Sequence, residues 1–253
     1  MNLRISIIVL FMSFTAISCT QDKAATKSPS KNNSQAVTPE LTAKDWEAIG
    51  YKNFNGDHKA AIDAFRQAAS KYEIDNNLKS AAIMYTNISN LYRDAFDNKN
   101  AAVDYGLKAL SNWRKENDQL QVANLLKDIG LLQAETYQTR KAYSSLNEAS
   151  SMFKRMNNKD ALAIVDHNMA TAHYIAERYD QAEASLLKSQ NHWKPKGTIN
   201  RIFNNNILAI KIYKDSNQLA KMQAVIEECE NMRTYNEINR YAEARYTELI
   251  KTL

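Results

Sequence analysis

Glycine, proline and cysteine are scarce in this 253-residue chain, which has 5 Gly, 3 Pro and 2 Cys. Gly and Pro interrupt helices, so their scarcity among many strong helix formers predicts a helical protein. The glycines are too few and too scattered to form a Gly-rich phosphate-binding loop. The two cysteines are Cys19 and Cys229. We expect Cys229, which occupies a small-residue packing position, to be a buried and inert thiol.

Histidine is also rare, and the four histidines form no recognisable catalytic or metal-binding pattern. His167 and His173 are six residues apart, which places them on different faces of one helix rather than on one face as metal ligands. Asp166 precedes His167, but no Cys or Ser in a Gly-flanked turn accompanies the pair. The sequence therefore predicts no catalytic residue, no metal site and no cofactor, and we expect a protein that is not an enzyme.

The formal net charge of the chain is +5, and Lys and Arg do not cluster in a block. Removing residues 1–18 takes away Arg4 and no acidic residue, so the remainder carries +4. A small charge spread over a long chain predicts that the protein does not bind nucleic acid. It is compatible with an acidic peptide partner, with anionic lipid headgroups or with an ordinary solvated surface.

The N-terminus combines Arg4 with a mostly apolar run over residues 5–17. This run is short for a membrane span and is typical of a secretory signal peptide, which we place at residues 1–18. The sequence Ala16-Ile17-Ser18-Cys19 resembles the lipoprotein box of bacteria. That resemblance implies lipidation of Cys19, which would become the new N-terminus and anchor the protein to a membrane. A plain signal peptide with an incidental cysteine is the alternative.

Residues 19–37 are mostly Ser, Thr, Asn, Gln, Lys and Ala, a composition that predicts a disordered tether. A tether of this length has a root-mean-square reach of roughly 25 Å, enough to hold a domain away from a membrane surface. Asp22 is the single acidic residue of this stretch, whereas an acidic run after the cysteine can mark surface export. We therefore expect an outer-membrane lipoprotein of a bacterial envelope that faces the periplasm.

The remaining domain, residues 38–253, carries five copies of one pattern of small and large residues. The first small position recurs at steps of 41, 40, 40 and 40 residues, at Ala61, Ala102, Ala142, Ala182 and Met222. A second small position follows seven residues later, at Ala68, Ala109, Ala149, Ser189 and Cys229. A fixed period in the range of 20–50 residues is the signature of a solenoid, whose units need neighbours to bury their apolar faces.

A large apolar residue lies between the two small positions in four of the copies, at Phe65, Leu146, Leu186 and Ile226. Small residues allow two helices to approach closely, and the large residue fills the space beside them. The second copy has Gly106 at the large position, and we expect its neighbours Tyr105 and Leu107 to fill that space. The pattern therefore describes pairs of packed helices.

Ten helices in five pairs, joined by polar connections, follow from this pattern. The predicted ranges are 43–55 and 58–72, 78–95 and 99–115, 119–136 and 139–155, 159–176 and 179–193, and 198–215 and 218–232. A last helix at about 238–251 mixes apolar and charged residues, and it is typical of the terminal helix that covers the open end of a repeat array.

The first copy resembles the tetratricopeptide repeat (TPR) in Trp46-x-x-Ile49-Gly50, followed by Ala61, Phe65 and Ala68. The resemblance covers about residues 43–230, although the family's usual repeat has 34 residues. It implies an all-α, right-handed superhelical solenoid of about five TPR-like repeats in a 40-residue variant, with a C-terminal capping helix. HEAT-type repeats, which have a similar period, are the second choice.

In this family the first helix of each pair lines a concave groove, and four positions around its Ile-Gly pair are exposed there. The resemblance therefore implies a protein or peptide partner, possibly acidic, since Asn can bind a peptide backbone and Lys and Arg can bind carboxylates. The implied groove residues are Asn87, Asn90, Arg93, Lys127, Leu131, His167, Asn168, Thr171, Tyr174, Asn204, Lys211 and Lys214. Thr86 and Asp128 replace the Lys and Asn that the family's clamp for chaperone tails requires, so that mode of binding is not expected.

The sequence thus predicts a non-enzymatic interaction scaffold, tethered by lipid, that binds a peptide or helix in its concave groove. Two alternatives remain within the same architecture. One is an assembly factor for outer-membrane proteins or pili, and the other is an envelope sensor that supplies an input to a signalling protein.

Overall fold

The computed structural model describes residues 40–235 and 238–253, and Glu40–Leu253 forms one compact unit. All regular structure in these residues is helical. The predicted signal peptide, tether and lipidation site at Cys19 lie outside the described residues and stay predictions. The helices are α1 (Ala43–Asn53), α2 (His58–Ile74), α3 (Leu78–Asp94), α4 (Lys99–Lys115), α5 (Gln119–Glu135), α6 (Thr139–Arg155), α7 (Lys159–Ile175), α8 (Tyr179–Trp193), α9 (Ile199–Asp215), α10 (Leu219–Tyr235) and α11 (Arg240–Lys251).

The 40-residue period follows from uniform helix and connection lengths. The helices α2–α7, α9 and α10 each have 17 residues, and most connections between them have three. Two such helices with two connections make one repeat. The first step of 41 residues arises because the connection between α3 and α4, residues 95–98, is one residue longer. In α8 the last turn is replaced by a short 3-10 segment at Lys194–Lys196.

Each connection from α2 to α10 reverses the chain with one residue in the left-handed conformation. These residues are Asn76, Asp97, Asn117, Tyr137, Asn157, Glu177, Gly197 and Asn217. The residue after each of these binds the last turn of the preceding helix through its backbone amide, and it directly precedes the following helix. For example, the amide of Asn77 donates to the carbonyl of Tyr72, and its side chain accepts from the amide of Ser80. Connections within and between repeats therefore have the same geometry.

Glycines at the helix crossings confirm the packing that the small and large positions predict. A Cβ at Gly50 would lie 2.4 Å from the ring of Phe65, and a Cβ at Gly130 would lie 2.7 Å from Cγ of Leu146. Only a residue without a side chain permits this approach, so the glycines set the distance between the helices of a pair. Phe65, Leu146 and Leu186 are buried at these large positions, whereas Ile226 of the last repeat is half-buried.

In the second repeat, the space beside Gly106 is not filled in the way that we expected from Tyr105 and Leu107. Leu107 is 44% exposed and does not fill the space at Gly106. Ile129, from the first helix of the next repeat, lies there instead, with its Cγ1 3.0 Å from a Cβ built at Gly106. A large residue from the following repeat therefore replaces the one that is missing.

The helix α11 closes the end of the array, as predicted. It buries Tyr246 and Leu249 against Phe203 and Ile207 of α9. The hydroxyl of Tyr246 also donates to Glu230 of α10 at 2.7 Å. The last apolar face of the solenoid is thus covered by the chain itself.

Candidate functional site

The first helices of the repeats, α1, α3, α5, α7 and α9, form an inner row, in which α5 packs directly on α7 and α7 packs directly on α9. The Asn168 side chain of α7 donates to the backbone carbonyl of Lys127 on α5 at 3.2 Å. Side chains of the second helices, the outer row, bridge larger gaps, as in the ion pair of Arg114 with Glu148 at 2.7 Å. Among the described helices, successive second helices are not packed on one another in this way, so the closer packing of α5, α7 and α9 indicates that the inner row lies on the concave side.

Several predicted groove residues bind neighbours within the domain. Asn87 donates to the Tyr51 hydroxyl at 3.1 Å. Arg93 binds the adjacent Asp94 through two hydrogen bonds of 2.7 and 2.9 Å. The Lys127 ammonium lies 3.4 Å from Asp128, and its side chain is 15% exposed. These groups would have to exchange a partner in order to bind a ligand.

The prediction that Asn168 is exposed in the groove is wrong. It is only 3% exposed, because α5 and α7 approach closely enough for its amide to reach the Lys127 carbonyl. Thr171 is half-buried, and its hydroxyl donates to the His167 carbonyl within the same helix. Tyr174 donates to Asp215 of the next repeat at 2.6 Å, so it joins α7 to α9.

The capping helix engages two further predicted residues on α9. Arg245 of α11 donates to the Asn204 side chain at 3.3 Å. The Lys214 ammonium donates to the Thr252 carbonyl at 2.9 Å. α11 therefore packs against α9 beside these two residues.

A polar network lies between α7, α8 and α9. His167 Nδ1 donates to Asn205 Oδ1 at 2.7 Å, and the Asn205 amide donates to Ser189 at 3.1 Å. Burial lowers the pKa of His167 from 6.5 to about 4, and the nearby charges of Arg245 and Arg201 act in the same direction. The ring is therefore neutral at pH 7 and keeps a lone pair on Nε2.

Three predicted groove residues keep their side chains free of such contacts. Among the described residues, neither Asn90 nor Lys211 makes a side-chain hydrogen bond or ion pair, and the apolar Leu131 is half-buried. All three occupy one register of the repeat, two residues after the Ile-Gly isoleucine or its equivalent. We call this register of the inner row the inner stripe, and it consists of Tyr51, Asn90, Leu131, Thr171 and Lys211.

The surroundings of Lys211 include a residue that the sequence reasoning missed. Burial lowers the pKa of Lys211, and the positive charge of Arg245 acts in the same direction. Arg245 belongs to α11, outside the five repeats. The repeat register contained no signal for it, because its place depends on how α11 packs on α9.

The remaining chemically reactive side chains are buried or dispersed. The Cys229 thiol is fully buried, as predicted, and burial raises its pKa to about 12. His167 and His173 do face different neighbours, since His173 lies 2.9 Å from the Tyr143 hydroxyl of α6. Within residues 40–235 and 238–253, no group of three or more His, Cys, Asp or Glu is arranged to hold a metal ion. No helix in these ranges is long and apolar enough to cross a membrane.

Solved structures with the same arrangement of helices are TPR-like proteins. BtubC (BKLC) from P. vanneervenii superposes with a TM-score of 0.64 and 16% identity, over 78% of this chain and 83% of that one. The apo form of RapI gives a TM-score of 0.68 and 14% identity, over 83% of this chain and 62% of RapI. A Podosopora anserina protein described as a kinesin light chain with nearly identical TPR-like repeats gives a TM-score of 0.62 and 11% identity, over 75% of this chain and 93% of that one.

These likenesses confirm the predicted fold class, an all-α superhelical solenoid of TPR-like helix-turn-helix repeats. The identities are low, so they establish the fold alone. No family model matches the sequence, and no similar sequence was found among curated proteins.

Proposed function

We propose that the protein is a non-enzymatic interaction scaffold that holds a peptide or helix of a partner protein along the inner stripe. The supporting observation is the in-register set of Asn90, Leu131 and Lys211 on the second, third and fifth inner-row helices, α3, α5 and α9. An amide, an apolar side chain and a cation in one line provide hydrogen bonding, burial and charge pairing to an elongated ligand. Several modest contacts spaced along the array then add up to a useful affinity.

We further propose that the scaffold is a lipoprotein attached through Cys19 to a bacterial envelope membrane and facing the periplasm. This part rests on the N-terminal sequence, in which Ala16-Ile17-Ser18-Cys19 follows an apolar run. The tether between Cys19 and α1 would let the inner stripe reach a partner near the membrane surface. The partner itself would be a protein or peptide of the same compartment.

Site-specific photo-cross-linking in cells tests the inner stripe. A photoreactive amino acid is placed at Asn90 or Leu131 and, as matched controls, at Leu107 or Leu187, which are 44% and 52% exposed on outer-row helices. We expect one discrete cross-linked partner from the inner positions and none from the outer ones. Equal adducts from both faces would contradict the assignment of the groove.

The anchor is tested separately with Cys19→Ser in the same cells. We expect the wild-type protein to fractionate with membranes and the variant to be released. The yield of cross-links at Leu131 should fall in the variant if the partner is a membrane protein. Membrane association that survives the substitution would exclude lipidation at Cys19 as the anchor.

A further inference from the structure

The repeat helices begin and end at two edges of the array, and the chain enters the domain at one of them. The first described residue, Glu40, accepts a hydrogen bond from the Lys71 ammonium in the last turn of α2. The Tyr72 hydroxyl, in the same turn, donates to Glu47 near the start of α1. α1 therefore begins where α2 ends. We call the edge formed by the starts of the inner-row helices and the ends of the outer-row helices the entry edge.

Side-chain contacts connect the repeats along the entry edge. Asn112, near the end of α4, donates to Glu73 at the end of α2 at 2.9 Å. An ion pair joins the outer-row helices α4 and α6. His192, near the end of α8, lies 2.6 Å from Asp160 at the start of α7. The entry edge is therefore one continuous surface from α1 to α8.

Exposed apolar side chains lie on the entry edge close to the point where the chain enters. Leu41, just before α1, is 40% exposed, and Ile74, at the end of α2, is 81% exposed. Leu120, at the start of α5, is 46% exposed. Removing such side chains from water is favourable, and aliphatic residues beside cations are typical of surfaces that lie in the headgroup region of a membrane.

The unpaired charge of the entry edge is positive. Several exposed cations between α1 and α7 make no side-chain hydrogen bond or ion pair among the described residues, namely Lys44, Lys79, Lys115, Lys154, Arg155 and Lys159. The carboxylates of the same stretch of this edge that make none are Asp75 and Glu116. An excess of unpaired cations complements the negative surface potential of anionic lipids.

Distance from the chain entry distinguishes this edge from the opposite edge, where inner-row helices end and outer-row helices begin. The opposite edge also exposes a large side chain, because Tyr137 is 82% exposed. A 17-residue helix such as α2 is about 25 Å long, so the opposite edge lies that much further from the point of entry. The predicted tether, residues 19–37, has a reach of similar size. A domain anchored through Cys19 would therefore present its entry edge to the lipid first.

We propose that the entry edge is a membrane-docking surface, which binds anionic phospholipid headgroups through its cations and places Leu41, Ile74 and Leu120 among them. This inference rests on the proposed function, because the anchor at Cys19 brings the edge to the membrane. Each contact is weak alone, but the anchor makes docking intramolecular, so several contacts act together. Asn90 of the inner stripe is twelve residues beyond the start of α3, so docking leaves it roughly 18 Å above the edge and open to a partner.

Photo-cross-linking of the full-length protein to lipid vesicles tests the entry edge. A photoreactive amino acid replaces Ile74 or Leu120 and, as matched controls on the opposite edge, Tyr137 or Leu219, which are 82% and 57% exposed. The vesicles contain equal parts of phosphatidylcholine and alkyne-tagged phosphatidylglycerol. We expect the yield of lipid adducts at the entry-edge positions to exceed that at the controls at least about tenfold.

The cations are tested in the protein that carries the photoreactive amino acid at position 74. Lys79→Gln combined with Lys115→Gln should lower the lipid adducts at least about tenfold, because each cation near an anionic surface contributes about a factor of five. Lys52→Gln combined with Lys59→Gln removes two exposed cations from the opposite edge and should leave the yield within about twofold. None of the four cations makes an ion pair among the described residues, so both double variants should unfold at the wild-type temperature.

Equal lipid adducts at Ile74 and Tyr137, or equal loss in the two double variants, would overturn the docking surface. A discrete protein adduct at Ile74 in cells, without a lipid adduct, would overturn it as well, because a partner protein would then cover the edge. The vesicles receive the full-length protein directly, so their readout does not depend on lipidation in cells. A Cys19→Ser protein that stays on cell membranes would reject the anchor. Release of that variant, together with equal vesicle adducts at the two edges, would reject the docking surface alone.

Discussion

Leu146 of α6 lies directly against Gly130 of α5, so closely that a Cβ on the glycine would be 2.7 Å from Leu146 Cγ and 3.3 Å from its backbone nitrogen. This contact fixes the distance between the two helices of the central repeat. Because each repeat packs on the next, an error in one pair is transmitted to its neighbours. The close crossing is therefore a sensitive point of the fold.

Gly130→Ala should lower the free energy of unfolding. The steric conflict costs about 1–3 kcal/mol, and the better helix propensity of alanine returns up to about 1 kcal/mol. We expect a net loss of roughly 1–2 kcal/mol in urea unfolding followed by circular dichroism. Gly56→Ala is the matched control, since a Cβ there meets nothing within 4 Å. A Gly130→Ala protein as stable as the control would contradict the crossing.

Ala142→Glu should unfold the central repeats. Ala142 is fully buried at a small position, so the new carboxylate would have neither water nor a cation beside it. Leaving a charge buried without a partner costs about 3–5 kcal/mol. Ala184→Glu is the matched control, because Ala184 is exposed within α8. Similar melting temperatures for the two variants would show that the repeat register is wrong.

Glu177→Gly should stabilise the protein. Glu177 is in the left-handed conformation with φ of 57°, which costs a residue with a side chain about 1 kcal/mol or more. Glycine avoids this cost but loses more entropy on folding, so the expected net gain is about 0.5–1 kcal/mol. The converse change, Gly197→Ala, should destabilise by a similar amount, because Gly197 has φ of 61° and open space around it. Urea unfolding of both variants checks the shared turn geometry, which would be refuted if both changes acted in the same direction.

Acid should destabilise the fold through His167. Its folded-state pKa of about 4 lies below the ordinary value of 6.5, so the unfolded chain binds more protons between these two values. The contribution of this histidine is complete above pH 6.5 and is lost as the pH falls through that range towards 4, by an amount on the order of 3 kcal/mol. Unfolding measured across this range should show a steeper pH dependence in wild type than in His167→Gln. Identical slopes would exclude the buried, neutral imidazole.

The helices could be predicted from the sequence because the packing positions repeat in the chain. Ala102, Ala142 and Ala182 identify the helix crossings, and polar residues separate the helices. The conformation of the turns was harder to predict from the sequence. Tyr137 and Glu177 occupy positions that usually favour Gly or Asn, so their left-handed conformation became apparent only in the three-dimensional structure.

The candidate site could be predicted only in part, because exposure depends on curvature. Asn168 belongs to the predicted face of α7, but the approach of α5 buries it. Arg245 lay outside every repeat register, and it reaches Asn204 of α9 only through the packing of α11. A family position indicates which side of a helix a residue occupies, whereas the distance to the next helix decides whether its side chain is available.

The most direct test of the inner stripe is the dissociation constant of the partner segment that cross-links at Leu131. It should be measured with wild type, Leu131→Asp and Leu107→Asp, after the two variants have been shown to unfold at similar temperatures. Our account predicts that Leu131→Asp weakens binding at least about tenfold, because it replaces an apolar contact with a charge that the partner must desolvate. Leu107→Asp, on the outer face, should leave the constant within about twofold. Equal constants for the two variants would show that the partner does not lie along the inner stripe.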